Sequence, residues 1–373
     1  MASAFDGSGI VRAALEAGAS AVAIAAAASD DSVRARMNEA FARGDFATWP
    51  YDAGYAARAG DPRALLPGVR SVVCVALAYA HAPPAGRGPL TGRVSNYAWS
   101  ADYHAQMRAL LERIAEQIDE LAGGPATRVV CDTAPFAERA YAARAGLGWV
   151  GKHTNLIVPG VGSHVFLGEI LTTLELEPGA PSKKSCGSCR RCIAVCPTGA
   201  LRGDYTIDAT RCISDLTQRT DAIPRELRPL LGDWVWGCDL CQEVCPPTRR
   251  APPRAGRAFA PPGAAAAFPA LLALLRLRSG EYKRRYRATA MGWRGAAVLR
   301  RNAAVALGNA LDRAAVPALE ESLRGDPHPL VRGHAAWALG RIASPRALAA
   351  LEAALAGERD PAVREELQAA LAL

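Results

Sequence analysis

Apolar positions in the first half of the chain follow two different periods. Met107, Leu110, Leu111, Ile114, Ile118 and Leu121 recur at three- and four-residue steps, the spacing of one face of an α-helix. Residues 71–79 (SVVCVALAY) form an almost unbroken apolar run, which predicts a buried strand. Residues 127–131 and 165–171 predict two more strands. The apolar stretch at the start, carrying Arg12 and Glu16, predicts a helix followed by a strand. Residues 1–180 thus read as an α/β domain. Residues 249–263, rich in Pro, Gly and Arg, read as a linker. Past it the pattern repeats: Ala306-Leu307-Gly308 returns as Ala338-Leu339-Gly340, and Val331-Arg332 returns as Val363-Arg364. Both offsets are 32 residues, as expected of stacked helix pairs of the HEAT type with a capping last unit.

Between these regions lie two cysteine clusters with the same tail. Cys186, Cys189, Cys192 and Cys196-Pro197 make the run C-x2-C-x2-C-x3-C-P; Cys238, Cys241 and Cys245-Pro246 repeat its end, with Cys212 upstream. This is the bacterial ferredoxin pattern, and eight thiolates are what two [4Fe–4S] clusters need. The fourth cysteine of such a run ligates the other cluster. One cluster is therefore expected on Cys186, Cys189, Cys192 and Cys245, the other on Cys196, Cys212, Cys238 and Cys241. Paired C-x2-C units also build zinc sites, but a tight triple followed by C-P is not their spacing. Disulfides do not suit this pattern in a reducing compartment. Cys74 and Cys131 sit in apolar runs and read as small buried hydrophobes. The expected organisation is an α+β multidomain chain: residues 1–180 a catalytic α/β domain, 181–250 a ferredoxin-like two-cluster module, 251–300 a linker and basic segment, and 301–373 HEAT-like repeats.

The net charge of +8 matters through its distribution. Residues 283–301 concentrate Lys283, Arg284, Arg285, Arg287, Arg294, Arg300 and Arg301, with Tyr282, Tyr286 and Trp293 interleaved. Basic groups neutralise phosphate and aromatic faces stack on bases. The alternative is a solvated helix face with core aromatics. No membrane-length apolar run, signal-peptide start or early twin-arginine pair is seen, so the expectation is a cytoplasmic protein.

A front domain of this size exceeds the needs of a bare electron carrier, and neither a Walker A sequence nor a convincing G-x-G-x-x-G follows a strand. Two segments hold candidate chemistry. Val130-Cys131-Asp132-Thr133-Ala134-Pro135 places an acid at a strand's end, where it can either serve an active site or cap the next helix. The glycines of 146–155 permit close approach to a ligand, or simply a turn. Tyr97-Ala98-Trp99-Ser100-Ala101-Asp102-Tyr103-His104 gathers polar and aromatic groups ahead of a helix that Asp102 could cap.

On these stretches, together with Leu66-Pro67-Gly68-Val69-Arg70-Ser71, Phe166-Leu167-Gly168-Glu169, Cys212-Ile213-Ser214, Arg301-Asn302-Ala303-Ala304 and both cysteine clusters, the chain resembles the epoxyqueuosine reductase family. That family completes queuosine at the tRNA wobble position, and the likeness runs nearly end to end. The resemblance implies cobalamin in the front domain without a histidine ligand to cobalt, matching the absence of D-x-H-x-x-G. It implies Arg58, Tyr97, Asp132, Lys152, Asn155, Ser214 and Asp239 as cobalamin contacts, although residues 55–61 depart from the family's spacing. It implies Asp132 as the catalytic proton donor, a role that needs a raised pKa. It places Gln218, Thr220 and Asp221 at the tRNA, with Lys283, Arg284, Arg285 and Arg287 of the basic segment on the anticodon stem-loop. Asp233-Trp234-Val235-Trp236 replaces a small polar turn, which is expected to alter the surface there. An external electron donor and a monomer are expected. Two competing readings are a reductive dehalogenase using the same cofactors and a non-catalytic iron–sulfur carrier.

Overall fold

The computed structural model describes residues 6–252 and 256–372. The chain forms two compact units, each assembled from three separate stretches.

The first unit takes Met1–His81, Asp102–Thr210 and Leu240–Ala260. Its centre is a four-stranded sheet of β1 (Ala21–Ala26), β2 (Ser71–Ala78), β3 (Thr127–Val130) and β4 (Val165–Thr172), in the order β1-β2-β4-β3. Every pairing is antiparallel, so helices and strands alternate along the chain without building a parallel sheet. The run 71–79 is apolar throughout because β2 is covered on both faces. Val72, Cys74 and Ala76 join one core layer with Phe136, Tyr141 and Leu156. Val73 and Val75 join the opposite layer with Ile24, Met107, Leu111, Ile114 and Ile118. Cys74 and Cys131 are buried in these layers, as their apolar neighbours require.

Two helices matter for the site. The helix α2 spans Tyr103–Ala122, with α1 (Ser8–Glu16) before it. Asp102 caps α2 by accepting from the His104 amide, and Gly123, in the left-handed region, ends it. Gly168 on β4 allows α2 to lie close: a Cβ there would stand 2.7 Å from Leu111 Cδ1 and 2.8 Å from Met107 Cε. The helix α3 (Glu138–Arg144) covers the other face through Tyr141 and Ala142.

The second unit takes Ala82–Ala101, Arg211–Asp239 and Pro261–Leu373. Its core is α4 (Ala296–Ala310), α5 (Val316–Gly325), α6 (Pro329–Ile342), α7 (Pro345–Gly357) and α8 (Pro361–Leu371). Gly308 and Gly340, 32 residues apart, let the first helices of successive pairs touch, α4 on α6 and α6 on α8: a Cβ at Gly308 would lie 2.8 Å from Ala338 Cα, and one at Gly340 2.6 Å from the Ala370 carbonyl oxygen. The same period carries an arginine ladder. Arg300 pairs with Asp326, Arg332 pairs with Glu358, and Arg332 and Arg364 donate to the carbonyls of Asp326 and Glu358. Arg300 and Arg332 thus tie their helices to the turn that starts the next pair, and Arg332 and Arg364 tie theirs to the turn just before that helix.

Candidate active site

Asp132 lies just beyond the end of β3, an edge strand of the sheet. It does not cap α3: no side chain caps that helix, which begins six residues later, and the Asp132 backbone stands at φ 55°. Its carboxylate instead faces α2. His104 donates Nδ1–H to Asp102 Oδ1 at 2.7 Å and Nε2–H to Asp132 Oδ2 at 3.3 Å, so one imidazole bridges two acids. Tyr103 stacks on His104 and on Phe166, ring centroids 4.1 and 3.9 Å apart, which fixes the bridge against β4. A cavity of about 140 Å³ opens here, lined by Asp132, Tyr79, Tyr103, Glu138, Asn155 and Gln242 among others. The Gln242 carboxamide oxygen is buried at its wall with no partner among the described residues.

The electrostatics place the proton away from where the sequence expected it. Hydrogen bonds to Asp132 first, then to Asp102, raise His104 to about 9 against the cost of burial. The His104 hydrogen bond, the largest influence on Asp132, outweighs burial and holds its carboxyl below the ordinary range. At neutral pH the pair is imidazolium and carboxylate. The raised carboxyls are Glu138 and Glu169, both pushed up mainly by burial. Sequence reading named the stretches that contain His104 and Glu169 without giving either a role. A charged residue inside the apolar run 165–171 was the available signal for Glu169; nothing local announced that His104 would reach Asp132.

The glycines of 146–155 approach the chain itself rather than leaving room for a ligand. A Cβ at Gly146 would stand 2.2 Å from the Ala180 carbonyl oxygen, and one at Gly148 2.3 Å from that of Ile157. Lys152 in this loop donates from Nζ to the carbonyls of Gly187 and Cys189 at 2.7 and 3.2 Å, tying it to the cysteine loop. Asn155 lines the cavity, and its carboxamide makes no hydrogen bond among the described residues. Arg58, exposed on the helix Ala53–Ala59, is likewise uncommitted.

The thiols follow the local geometry of the C-x2-C-x2-C-x3-C-P run. Cys186 and Cys189 lie in a turn, Cys192 on the short helix Arg191–Val195, and Cys196 closes that helix. Burial raises the Cys192 thiol first and Cys186 and Cys245 add to it; Cys245, also raised by burial, feels Cys186 and Cys189. These four therefore sit within electrostatic reach of one another, and a donor set that repels itself as thiolates suits a cationic cluster. Of the rest, Cys241 lies on the helix Leu240–Glu243, Cys238 follows the strand Trp234–Trp236, and Cys212 precedes the helix Ile213–Gln218.

In the second unit, Asp239 is buried and accepts from the Ser95 hydroxyl and, at 2.7 Å, from the Asn96 amide, so it holds the turn that carries Tyr97. Ser214 accepts from the Gln218 carboxamide through its hydroxyl and its carbonyl. Thr220 and Asp221 are exposed in the turn that follows. Asp233-Trp234-Val235-Trp236 does not shape the surface: residues 234–236 are a buried strand. The basic segment divides. Lys283, Arg284, Arg285 and Arg287 are exposed on and just after the helix Ser279–Tyr286, whereas Arg300 and Arg301 are buried. Tyr282 and Tyr286 are core residues; Trp293 is 50% exposed, with the Arg294 guanidinium 3.6 Å above its ring. No helix among the described residues is long and apolar enough to cross a membrane.

Comparison with known proteins agrees with this geometry. Residues 60–133 match the family model "Epoxyqueuosine reductase QueG, DUF1730", residues 185–248 a 4Fe-4S double cluster binding domain, and residues 295–372 HEAT repeats. The epoxyqueuosine reductase of Bacillus cereus is 36% identical over 282 residues, 73% of each chain. A crystal structure of epoxyqueuosine reductase with an epoxyqueuosine-modified tRNA-Tyr stem loop superposes with a TM-score of 0.91 at 32% identity, covering 98% of this chain and 97% of that one. The Bacillus subtilis enzyme, solved with its catalytic aspartate loop swung out of the active site, gives 0.89 at 31% identity over 98% of both chains. An acid-bridged imidazole at a strand end, a two-cluster [4Fe–4S] module and a HEAT tail thus occur here in one chain, and that chain belongs to the epoxyqueuosine reductase family of oxidoreductases.

Proposed function

We propose that this chain reduces epoxyqueuosine to queuosine at the tRNA wobble position, working as a cytoplasmic monomer with cobalamin and two [4Fe–4S] clusters fed by an external donor. The observation that carries the reading is the Asp102–His104–Asp132 bridge at the mouth of a cavity. The residues fit the cofactors in kind. Eight cysteines suit two clusters, with Cys186, Cys189, Cys192 and Cys245 on one and Cys196, Cys212, Cys238 and Cys241 on the other. Arg58, Asn155 and the buried Gln242 oxygen are uncommitted polar groups that suit the amide fringe of a corrin. Tyr97, Lys152, Ser214 and Asp239 join them by resemblance; Lys152 and Asp239 also have structural duties. When bound, cobalamin supplies a reducible cobalt centre for the epoxide and the clusters supply single electrons.

The protein's own part is the proton. Removing the epoxide oxygen as water consumes two electrons and two protons. His104 stores one proton at neutral pH, and Asp102 keeps the imidazole turned toward Asp132. Asp132, ionised and 59% exposed, passes that proton from His104 Nε2 to the departing oxygen and, reached by solvent, draws the second from water. A base splayed out of the anticodon loop is the form of substrate that reaches such a cavity.

The decisive assay reconstitutes the clusters anaerobically, adds cobalamin and a chemical reductant, and follows epoxyqueuosine-containing tRNA. Conversion that requires cobalamin is expected; tight cobalamin binding without conversion would sink the tRNA substrate.

Phosphate contacts are assigned to the exposed cations, with Gln218, Thr220 and Asp221 as further tRNA contacts. Replacing Arg284, Arg285 and Arg287 together by alanine should weaken tRNA binding and flatten its salt dependence by about 2 to 3 in log–log slope. An unchanged slope would make this face merely solvated.

A further inference from the structure

The backbone of Asp132 is left-handed, a conformation that a non-glycine residue keeps only when its surroundings impose it. One side chain grips that backbone. The Asp132 N–H donates to Glu138 Oε1 at 2.5 Å, from the first turn of α3. Glu138 also lines the cavity. Behind it lies Glu169, fully buried on the central strand β4, its Cα opposite Cys74 on one side and Val130 on the other. Gly168 faces α2, so by strand alternation Glu169 faces the layer that α3 covers. Neither Glu169 oxygen has a hydrogen-bond partner among the described residues. A carboxyl in that state stays protonated, and burial is what holds it so.

We propose that Glu138, backed by the buried Glu169, is the positioning residue of this site: its carboxyl holds the Asp132 amide and so keeps the left-handed turn that aims Asp132 at His104 and the cavity. This rests on Asp132 being the proton-delivering group. The relative from Bacillus subtilis has its catalytic aspartate loop swung out, so in that protein the loop has a second position. A grip on the loop amide is the contact that selects between two such positions.

The grip depends on charge. An ionised Glu138 accepts from an amide more strongly than a neutral one. Burial pushes Glu138 up, the Asp132 charge adds to that, and the Asp132 amide, Arg139 and His104 oppose it. Glu169 of β4, Tyr55 of the helix Ala53–Ala59, Tyr103 of α2, Cys74 of β2 and Cys131 just past β3 also feel its charge. Protonation therefore loosens the turn as pH falls, beginning above the ordinary carboxylate range.

The test compares Glu138→Ala, Glu138→Gln and Asp132→Asn in the reconstituted enzyme. Glu138→Ala should lower kcat by about 10- to 100-fold, the effect of misplacing a reacting group. Its KM for tRNA, cobalamin binding and cluster absorbance should match wild type. Glu138→Gln, a neutral oxygen acceptor that cannot titrate, should give a kcat between those of Glu138→Ala and wild type and lose the acid limb of the pH profile. A wild-type kcat in Glu138→Ala overturns the proposal, as does loss of clusters or cobalamin together with kcat. An unchanged acid limb in Glu138→Gln overturns it too. Turnover retained in Asp132→Asn overturns the Asp132 proton route and this inference with it; turnover lost there but kept in Glu138→Ala overturns this inference alone.

Discussion

Asp132→Asn is expected to lose turnover by about 10²- to 10⁴-fold, the usual contribution of a positioned proton donor, while cluster absorbance and cobalamin binding stay intact. The substitution is nearly isosteric and the residue lies outside both core layers, so the fold has little reason to change. Its effect on His104 is separable from its effect on the substrate. Without the Asp132 charge, the imidazole loses the largest influence that raises it, keeps only Asp102, and releases its proton at a lower pH. The sign follows: a histidine raised by its partners keeps its proton, and the stability the pairing brings, until pH passes its folded value. In wild type the alkaline limb of turnover should therefore lie near 9, where His104 deprotonates. Any residual activity in Asp132→Asn should fall off at lower pH. A wild-type rate in the variant would remove Asp132 from the mechanism; an alkaline limb that does not move would remove His104.

Arg301→Ala should destabilise the second unit by about 3–5 kcal/mol, the cost of taking the donor away from several carbonyls at once. Arg301 is fully buried, and burial pushes it down only to about 9, so it is charged at neutral pH. Its guanidinium donates to the carbonyls of Leu216, Arg219 and Asp221 and to the Asn302 side chain. Asn302 in turn donates to the carbonyls of Thr217 and Val235. Alanine would leave those three carbonyls buried without donors, each costing about 1–3 kcal/mol. Because they belong to the turn carrying Gln218, Thr220 and Asp221, the same change should weaken tRNA binding without removing a phosphate contact. Thermal unfolding and a tRNA titration check the two halves. A variant as stable as wild type would mean that water replaces the guanidinium.

Arg301 also marks where sequence reading stops. The cysteine spacing, the strand 71–78, the helix through 107–121 and the 32-residue period were all legible, because each is a local pattern whose meaning follows from backbone geometry. Charge near residue 300 looked continuous with the basic segment, yet Arg300 and Arg301 face inward. A helix buried on nearly all sides leaves no periodicity by which to tell an inward arginine from an outward one. The third member of the arginine ladder was hidden in the same way, since Leu299 stands where Val331 and Val363 stand in the later repeats.

The sequence by itself determined the iron–sulfur class and the helical-repeat tail, since eight thiols in this spacing and a tail of fixed period have few physical solutions; the family was legible from the resemblance of longer stretches. It also singled out Asp132. What the tertiary structure decided was protonation and grip. The proton rests on His104 because α2 brings the imidazole between two acids distant in sequence. The raised carboxyls are Glu169, buried by the antiparallel pairing of β4 with both its neighbours, and Glu138, which α3 sets over the same layer at the cavity wall. A pKa is set by neighbours and solvent access, and neither exists until strands pair and helices cover them.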